Sequence, residues 1–212
     1  MLINLHTHHT NNHGLEILNS TNESATYYSY GVAPFEINKK NFDPNKLDRN
    51  HCIAIGEIGL DKQIQVSIFE QIDFFKKQLI YSEKLKLPVI IHCVKAYNEL
   101  LKIKQQLKPT QPWIIHGFRK TKLCTTLIKN DFYLSIGTAI LYDEKLQKTI
   151  KEIPNNRLFL ETDNDQTHTI EEVYTCVASL KEISLLDLKD IIKTNFINTF
   201  KRWETGLKEP HC

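Results

Sequence analysis

Near its start the chain carries two histidines, His6 and His8, at the end of a short apolar run. Side chains two apart on a strand point the same way, so both imidazoles can bind one ion. A second candidate, Glu57, stands in the sequence Gly-Glu-Ile-Gly-Leu-Asp at 56–61, within another apolar run. Because an unpaired buried carboxylate is very costly, we expect Glu57 to meet a cation or a base.

Three further metal-competent residues end apolar runs later in the chain. His92 follows Val-Ile-Ile, His116 follows Trp-Ile-Ile, and Asp163 follows Leu-Phe-Leu-Glu-Thr. Taken singly, each is also compatible with a core polar residue whose hydrogen bonds are satisfied. Three or four ligands are enough for one ion. Six candidates at the ends of five strands therefore predict two ions that share a carboxylate.

Two divalent ions so placed would lower the pKa of a bound water and make hydroxide at neutral pH. A carboxylate that touches this water is a natural general base. Imidazole suits zinc, whereas carboxylate and water also suit magnesium and manganese. The residues therefore predict a hydrolase with two divalent ions, and they leave zinc, magnesium and manganese open.

Eight short apolar runs, punctuated by Gly, Pro, Asn or Asp, predict the strands that position these ligands. From Ile53 onward the runs are apolar almost throughout, as expected of strands buried on both faces. Strands alternating with helices indicate a parallel α/β architecture. We expect a TIM-like barrel whose strand ends line the site on one face. The predicted strands cover residues 3–6, 15–18, 27–32, 52–60, 89–93, 113–118, 132–139 and 157–161.

Helical periodicity marks the segments between the later runs. Ile68, Ile72, Phe75 and Leu79 recur at spacings of four, three and four, which indicates a long amphipathic helix. The other predicted helices cover residues 97–107, 121–130, 144–152, 170–181 and 185–203.

The first quarter of the chain leaves little room for covering helices. Eight residues separate His6 from Leu15, and eight separate Leu18 from Tyr27. A parallel crossover usually needs about a dozen residues or more. Either the helices are reduced or missing after the first two or three strands, or an early strand runs antiparallel.

Composition places the chain among ordinary globular proteins. Its 212 residues, 41% hydrophobic and 25% charged, suit a single domain over residues 1–212. A net charge of +2 is too weak to argue for nucleic acid by itself. We find no apolar run of about 18 residues that predicts a membrane span, and no signal peptide. Five widely spaced cysteines without a CxxC motif fit free thiols in a reducing cytosol, so we expect a cytoplasmic protein.

Several motifs follow one another in order along the chain. They are His6-Thr7-His8, Gly31-Val32-Ala33-Pro34, Gly-Glu-Ile-Gly-Leu-Asp at 56–61, Gln71-x3-Phe75-x2-Gln78, Leu87-Pro88-Val89-Ile90-Ile91-His92, Ile115-His116-Gly117-Phe118, Ser135-Ile136-Gly137, Leu160-Glu161-Thr162-Asp163 and Asn195-x4-Phe200. Together they resemble the TatD family of metal-dependent hydrolases, within the amidohydrolase-type barrels. The resemblance is specific from residue 51 to residue 203 and thin over residues 9–50.

The resemblance implies a TIM-barrel fold and, because the family's members are mostly described as nucleases, hydrolysis of phosphodiesters in DNA. It also implies a role for each ligand. The first ion would be held by His6, His8 and Asp163, and the second by His92 and His116, with Glu57 bridging the two. Asp163 would also take a proton from the attacking water, so Asp163 and Glu57 are the predicted catalytic residues.

Several positions near the ligands depart from the family's pattern. Asn4 stands where the family usually has Asp, Ala33 where it has His, and Val94 where it often has Arg. Arg119-Lys120 replaces a common Ser-Gly, and residues 164–168 replace a loop with Pro and a basic residue. All six ligands are kept while much of the substrate-contacting shell is changed. This supports a metal site more firmly than it supports DNA as the substrate.

Three basic residues just after His116 form a candidate phosphate clamp at the mouth of the site. They are Arg119, Lys120 and Lys122. Arg119 and Lys120 are thus predicted substrate contacts. The alternative interpretation is the solvated start of a helix.

For the remaining histidines we expect surface or core packing, with an approach to the site left open for His168. They are His9, His13, His51, His168 and His211. Cys93 should be a small core residue. Trp113 should be a packing residue rather than a platform for base stacking.

Two other functions stay open. The sequence Leu5-His6-Thr7-His8 also fits PHP-type phosphoesterases, although the Glu-Ile-Gly-Leu-Asp and Glu-Thr-Asp motifs argue against them. The other alternative is a catalytically weak relative that acts as a binding protein. An exposed early sheet face would need a partner, so a homodimer through the N-terminal strands is a candidate assembly. The expected substrate is a phosphodiester, with DNA the candidate, and no membrane partner is expected.

Overall fold

The computed structural model describes residues 1–10, 14–19, 27–47 and 51–203. Its eight strands form one parallel sheet, in which each strand lies beside the next one along the chain. The strands are β1 (Ile3–Thr7), β2 (Leu15–Asn19), β3 (Tyr27–Tyr30), β4 (Cys52–Asp61), β5 (Val89–Val94), β6 (Trp113–Ile115), β7 (Phe132–Ile136) and β8 (Leu158–Leu160). All eight predicted strands are confirmed, in the order that a TIM-like barrel requires.

Burial explains why these runs form strands. All ten residues of β4 are buried, and so are all residues of β6 and β8. Strands covered on both faces have continuous apolar sequences, which is the pattern that predicted them. The runs predicted at 113–118 and 132–139 end earlier, at Ile115 and Ile136. Gly117 then takes a positive φ of 54°, and a 3-10 turn follows β7.

Six α-helices occur among the described residues. They are α1 (Ile68–Leu85), α2 (Tyr97–Leu107), α3 (Cys124–Lys129), α4 (Glu144–Thr149), α5 (Ile170–Lys181) and α6 (Leu185–Thr199). The helices predicted at 97–107 and 170–181 have these bounds in the structure. Those predicted at 121–130 and 144–152 are each divided between α-helix and a 3-10 turn. The last helix is shorter than predicted and ends at Thr199.

The early strands are parallel despite their short connections. β1 pairs with β2 in parallel, with Ile3 opposite Leu15, and β3 pairs with β4 in parallel. The antiparallel alternative is therefore wrong for these pairs. No helix occurs among the described residues between β1 and β3. Between β3 and β4, the described residues include two 3-10 turns, Pro34–Glu36 and Pro44–Leu47. For the described residues, the prediction of reduced or missing early helices is confirmed. Within β2 only Ile17 is buried.

The chain divides into two compact units, and a single domain over residues 1–212 stays a prediction. The first unit is Met1–Leu18 with Ile115–Thr199, and the second is Asn19–Ile114 with Phe200–Cys212 as far as its residues are described. In the first unit, the end of β1 forms backbone hydrogen bonds with Asp163. The backbone N–H of Asp163 donates to the carbonyl of His6 at 2.9 Å, and that of His8 donates to the carbonyl of Asp163 at 3.0 Å.

Helices of the first unit fasten the opposite ends of these strands. The Tyr174 hydroxyl of α5 donates to the carbonyl of Ile3 at 3.0 Å and accepts its N–H at 3.1 Å, and both groups are buried. Asn195 of α6 donates to the carbonyl of Leu158 at 2.8 Å. Ile3 begins β1 and Leu158 begins β8, so these bonds fix the two strands whose far ends carry His6 and Asp163.

In the second unit, two buried glutamines tie α1 to the sheet. Gln71 donates to the carbonyl of Asp61 at 2.8 Å and accepts its N–H at 2.7 Å. Gln78 does the same for Val32, at 3.0 and 2.8 Å. Each side-chain amide therefore satisfies both backbone groups of one residue. The Gln71 bonds hold the end of β4, the strand that carries Glu57, and the Gln78 bonds hold the segment just after β3.

Four cysteines lie among the described residues and carry free thiols: Cys52, Cys93, Cys124 and Cys176. Burial raises the pKa of Cys93 to about 12, so this thiol is inert and fits its predicted core position. Trp113 is fully buried, as predicted for a packing residue. The described part of the chain contains no helix long and apolar enough to cross a membrane. The cytoplasmic location stays a prediction.

Replacing Tyr174 with Phe should lower the free energy of unfolding by about 1–3 kcal/mol, because the N–H and carbonyl of Ile3 would lose a buried partner. Urea unfolding followed by circular dichroism measures this loss. Tyr142→Phe, at a position that is 61% exposed, is the control and should change stability by about 0.5 kcal/mol or less. Equal stability of the two variants would contradict the role of Tyr174.

Candidate metal centre

The first unit brings three predicted ligands together at the carboxyl ends of β1, β6 and β8. One donor atom from each of His6, His116 and Asp163 lies within 4.8 Å of the other two. The ring centroids of His6 and His116 are 4.4 Å apart, and Asp163 Oδ1 is 3.5 Å from His6 Nε2. Each donor would bind an ion at about 2 Å, so atoms this close can share one ion.

His8 is linked to the same cluster through Asp163. Its Nε2 lies 3.4 Å from Asp163 Oδ1, and its ring centroid is 5.2 Å from that of His6. The two imidazoles of the His-x-His motif thus leave the strand in a common direction, as the alternation of strand side chains predicts.

Asp163 supplies the carboxylate of this cluster. Its φ of 54° lies in the left-handed region, where Asp is one of the few enriched residues. Burial alone would raise the pKa of Asp163, but the polar contacts with His6 and His8 outweigh it and hold this pKa well below its usual range. The side chain is 43% exposed. An ionised carboxylate is therefore available at neutral pH to both a cation and a water molecule.

The second unit holds Glu57 against His92. Glu57 Oε1 lies 2.7 Å from His92 Nδ1, and its side chain is only 4% exposed. Asn19, at the end of β2, supports the same carboxylate. Its side-chain amide donates to Glu57 Oε2 at 3.2 Å and accepts the N–H of Glu57 at 3.0 Å. Glu57 thus meets a base, as its burial requires.

Three polar residues outside the predicted ligand set also contact ligands: Asn19, Asp61 and Glu161. Asp61 Oδ2 lies 3.4 Å from His92 Nε2, and Glu161 Oε1 lies 3.5 Å from His116 Nδ1. Both acidic residues stand within a motif that contains a predicted ligand, so the motifs carried a signal for them. Asn19 lies one position beyond the predicted strand, and nothing in the local sequence marks it.

A cavity of about 220 Å³ opens beside Asp163 in the first unit, and Arg119 lines it. The side chain of Arg119 is 56% exposed, and its Nη2 lies 3.4 Å from Asp143 Oδ2. Lys120 and Lys122 are exposed and do not line this cavity. Of the three residues of the predicted clamp, Arg119 is thus the one placed beside a predicted ligand.

An exposed aromatic ring stands beside His92 in the second unit. Phe35 is 42% exposed. Its ring centroid lies 5.6 Å from that of His92, and the two planes meet at 78°. Phe35 directly follows Pro34, in a motif where this chain departs from the family's pattern. A large apolar ring that remains exposed next to a predicted ligand is available to a substrate.

Asn4 shows how one departure from the family's pattern is accommodated. Its buried side chain donates to Thr162 Oγ1 at 2.8 Å and accepts the N–H of Thr162 at 3.0 Å. A carboxylate at this position would keep the acceptor and lose the donor. The amide therefore fixes the residue before Asp163 without adding charge.

Two other histidines bind polar residues of the segment after Asp163. His9 Nε2 lies 2.8 Å from Asn164 Oδ1, and His168 Nδ1 lies 3.0 Å from Asp165 Oδ2. These partners are not predicted ligands, which agrees with the structural interpretation of both residues. The predictions for His13 and His211 lie outside the described residues.

Two sequence comparisons relate this chain to known proteins. Residues 1–201 match the family model described as TatD related DNase. An uncharacterized metal-dependent hydrolase of Buchnera aphidicola is 29% identical over 203 residues, covering 82% of this chain and 76% of that protein. A putative deoxyribonuclease of Vairimorpha ceranae is 25% identical over 213 residues, covering 88% and 79%. A human 3′-5′ RNA nuclease is 32% identical over 121 residues, covering 53% of this chain and 16% of that protein.

A TatD homologue from Escherichia coli has the same fold. Its crystal structure matches this one with a TM-score of 0.73 at 20% identity, over 82% of this chain and 76% of that one. This likeness confirms the predicted TIM-like α/β barrel class. The family match agrees with the TatD resemblance of the motifs and not with the PHP-type alternative. This chain therefore belongs to the TatD-related DNase family, and it is a metal-dependent hydrolase that acts on ester bonds.

Proposed function

We propose that this hydrolase is a phosphodiesterase of the nuclease type that activates water with two divalent ions. The observation that supports this most is the cluster of His6, His116 and Asp163, whose donor atoms lie within 4.8 Å of one another. Imidazole and carboxylate donors suit zinc, magnesium and manganese. The donor set therefore fits divalent ions in general.

The proposed ligand assignment follows the family resemblance. The first ion is held by His6, His8 and Asp163, and the second by His92 and His116, with Glu57 bridging the two. Both sets belong to the carboxyl halves of strands or to the residues just after them, and in barrels of this type such positions line one face. This placement supports the assignment of these residues as metal ligands.

Asp163 and Glu57 have different environments, which suits different roles. Bound divalent ions would supply hydroxide at neutral pH and offset charge on a phosphoryl oxygen. Asp163 is ionised and 43% exposed, so it can accept a proton from the attacking water. Glu57 is almost fully buried and held by Asn19 and His92. It therefore suits a fixed bridging ligand rather than a group that exchanges protons.

DNA is the proposed substrate, on the strength of the name of the Vairimorpha ceranae relative. RNA is the alternative that the name of the human relative favours. Two features of this chain suit either nucleic acid. The guanidinium of Arg119 can bind a phosphate beside Asp163, and the exposed ring of Phe35 can stack on an unpaired base beside His92.

Self-association through the early strands stays a prediction. Its support is the burial pattern of β2, in which Leu15, Glu16, Leu18 and Asn19 are only partly covered. A strand with this exposure on a sheet is a candidate surface for a second copy of the chain.

Replacing Glu57 or Asp163 with Ala should abolish hydrolysis, because each substitution removes a proposed ligand carboxylate. The wild type should bind about two ions per chain, and each variant should bind fewer. We expect kcat on single-stranded DNA to fall by at least about 100-fold. Elemental analysis after loading with magnesium, manganese or zinc gives the ion count, and oligonucleotide cleavage gives the rate.

The matched control for these variants is Asp131→Asn, which removes an acidic charge that is 75% exposed and pairs with Arg157. It should cleave at the wild-type rate. Cleavage that persists in Glu57→Ala would rule out the proposed bridge. A wild-type chain that is folded yet binds no ion after loading would favour a binding protein without catalysis.

Reversing the charge of Arg119 should raise KM for an oligonucleotide by about tenfold, which corresponds to the loss of one hydrogen bond to a charged group. Lys120→Glu reverses the charge of the adjacent exposed residue that does not line the cavity, so it should have a smaller effect. Steady-state kinetics of both variants measure the difference. Unchanged KM in Arg119→Glu would exclude the phosphate contact.

Replacing Phe35 with Ala should raise KM for a single-stranded oligonucleotide by about tenfold, because stacking contributes about 1–3 kcal/mol per base. An abasic oligonucleotide of the same length should show no such change. Phe35→Trp keeps an aromatic face and should restore the wild-type KM, whereas Phe35→Leu should not. An equal rise in KM on both substrates would argue that Phe35 supports the fold of the site instead.

A further inference from the structure

His92 lies between two carboxylates of one strand. Its Nδ1 is 2.7 Å from Glu57 Oε1, and its Nε2 is 3.4 Å from Asp61 Oδ2. Asp61 ends β4, and it is 8% exposed. Its backbone is fixed by Gln71, and its Oδ1 accepts the N–H of Gln63 at 2.7 Å. The carboxylate is therefore held in place on the side of the imidazole that Glu57 does not occupy.

A second buried carboxylate lies beside His116. Glu161 is fully buried, and its Oε1 accepts the N–H of Gly117 at 2.5 Å and lies 3.5 Å from His116 Nδ1. Gly137 borders the same side chain, since a Cβ there would lie 3.7 Å from Glu161 Cγ. The peptide bond after His116 thus fixes the carboxylate next to its ring.

Asp61 and Glu161 form no ion pair with a Lys or Arg side chain among the described residues. The ion pairs of Asp61 and Glu161 are with His92 and His116, and neither pairs with a Lys or an Arg. Glu161 Oε2 is buried and meets no hydrogen-bond donor in the described part of the chain. A buried carboxylate without compensation is strongly unfavourable. Its retention beside a histidine therefore indicates a function tied to that histidine.

We propose that Asp61 and Glu161 are positioning residues: Asp61 orients the proposed ligand His92, and Glu161 orients the proposed ligand His116. This proposal rests on the proposed two-ion function. Histidine ligands bind a metal through one ring nitrogen and commonly donate the other N–H to a carboxylate, which fixes the tautomer and the ring. Asp61 Oδ2 lies 3.4 Å from His92 Nε2, and Glu161 Oε1 lies 3.5 Å from His116 Nδ1. Each carboxylate is therefore placed to accept the N–H of the ring nitrogen that does not bind the ion.

Charge balance supports the same assignment. Glu57 and Asp163 are proposed ligands, and Asp61 and Glu161 stand behind histidines. A carboxylate behind each histidine places an acidic group close to the ion that the histidine would bind. Both positioning residues therefore favour cation binding electrostatically as well as through the orientation of the ligand.

The test compares the affinity for each of two ions in wild type, Asp61→Asn, Asp61→Ala, Glu161→Gln and Glu161→Ala. Manganese binding is titrated against a chelator, and the visible spectrum of the cobalt-loaded protein reports the ligand geometry. The alanine variants should bind one of the two ions about 10–100-fold more weakly and keep the other. Their cobalt spectra should change. The amide variants keep an acceptor for the histidine N–H and should lie between the alanine variants and the wild type.

Glu99→Gln is the matched control in the second unit. It removes the carboxylate charge that pairs with Lys62 close to the end of β4, where Glu99 Oε1 lies 2.7 Å from Lys62 Nζ. The affinities for both ions should stay unchanged. At saturating metal, the Asp61 and Glu161 variants should lower kcat and leave KM for DNA unchanged, because neither side chain is proposed to contact substrate.

The outcomes separate this proposal from the proposed function. A wild-type chain that binds no second ion would overturn the two-ion function itself. A wild type with two ions, together with amide and alanine variants that keep both affinities and the cobalt spectrum, would overturn the positioning roles alone. The amide variants preserve size and shape, so they decide the question where an alanine variant fails to fold.

Discussion

A carboxylate that is removed from water needs positive charge close by, and this requirement governs the carboxyl ends of the strands. Glu57, Asp61 and Glu161 are 3%, 8% and 0% exposed. Among the described residues, each of these carboxylates is paired with an imidazole. A neutral imidazole can accept or donate a proton but carries no compensating charge. Divalent cations would supply that charge, which is why we propose that the acidic and imidazole groups of each unit serve cation binding.

The surrounding fold holds this arrangement with neutral amides. The side-chain amide oxygens of three residues accept backbone N–H groups near the proposed ligands. Asn4 accepts the N–H of Thr162, Asn19 that of Glu57, and Gln71 that of Asp61. Each side-chain amide offers one donor and one acceptor, so it can complete the hydrogen bonding of a strand end without changing the local charge. Charged side chains at the same positions would compete with the cations or with their ligands. The amides therefore give rigidity while the charge balance is left to the metal site.

Much of the fold and most of the site could be predicted from the sequence, for identifiable physical reasons. Strands buried on both faces must be apolar, so β4 is recognisable as a continuous run. Polar groups that interrupt or end such runs, such as His92 and His116, need a special explanation. The strand ends after Ile115 and Ile136 were misplaced, because Gly117 and a 3-10 turn stop the strands while the sequence stays apolar.

The supporting residues were harder to predict than the ligands. Asp61 and Glu161 stand in motifs of the TatD resemblance. Their contacts with His92 and His116 depend on the direction of the side chains, which the sequence does not show. From the sequence, Asn19 is expected to be a loop residue with no special role. Its contact with Glu57 depends on the arrangement of strands that are far apart in the sequence. Arg119 and Lys120 are adjacent and alike in sequence, yet only Arg119 lines the cavity beside Asp163. Side-chain direction, rather than residue type, decides these cases.

The central claim is that these ligands hold two divalent ions, and the location of the ions tests it most directly. Crystals grown with manganese give anomalous scattering that locates each ion without assumptions about activity. The account predicts two peaks, one bound by His6, His8 and Asp163 and the other by His92 and His116, with Glu57 contacting both. A single peak, or peaks bound by other residues in a fully loaded crystal, would contradict it.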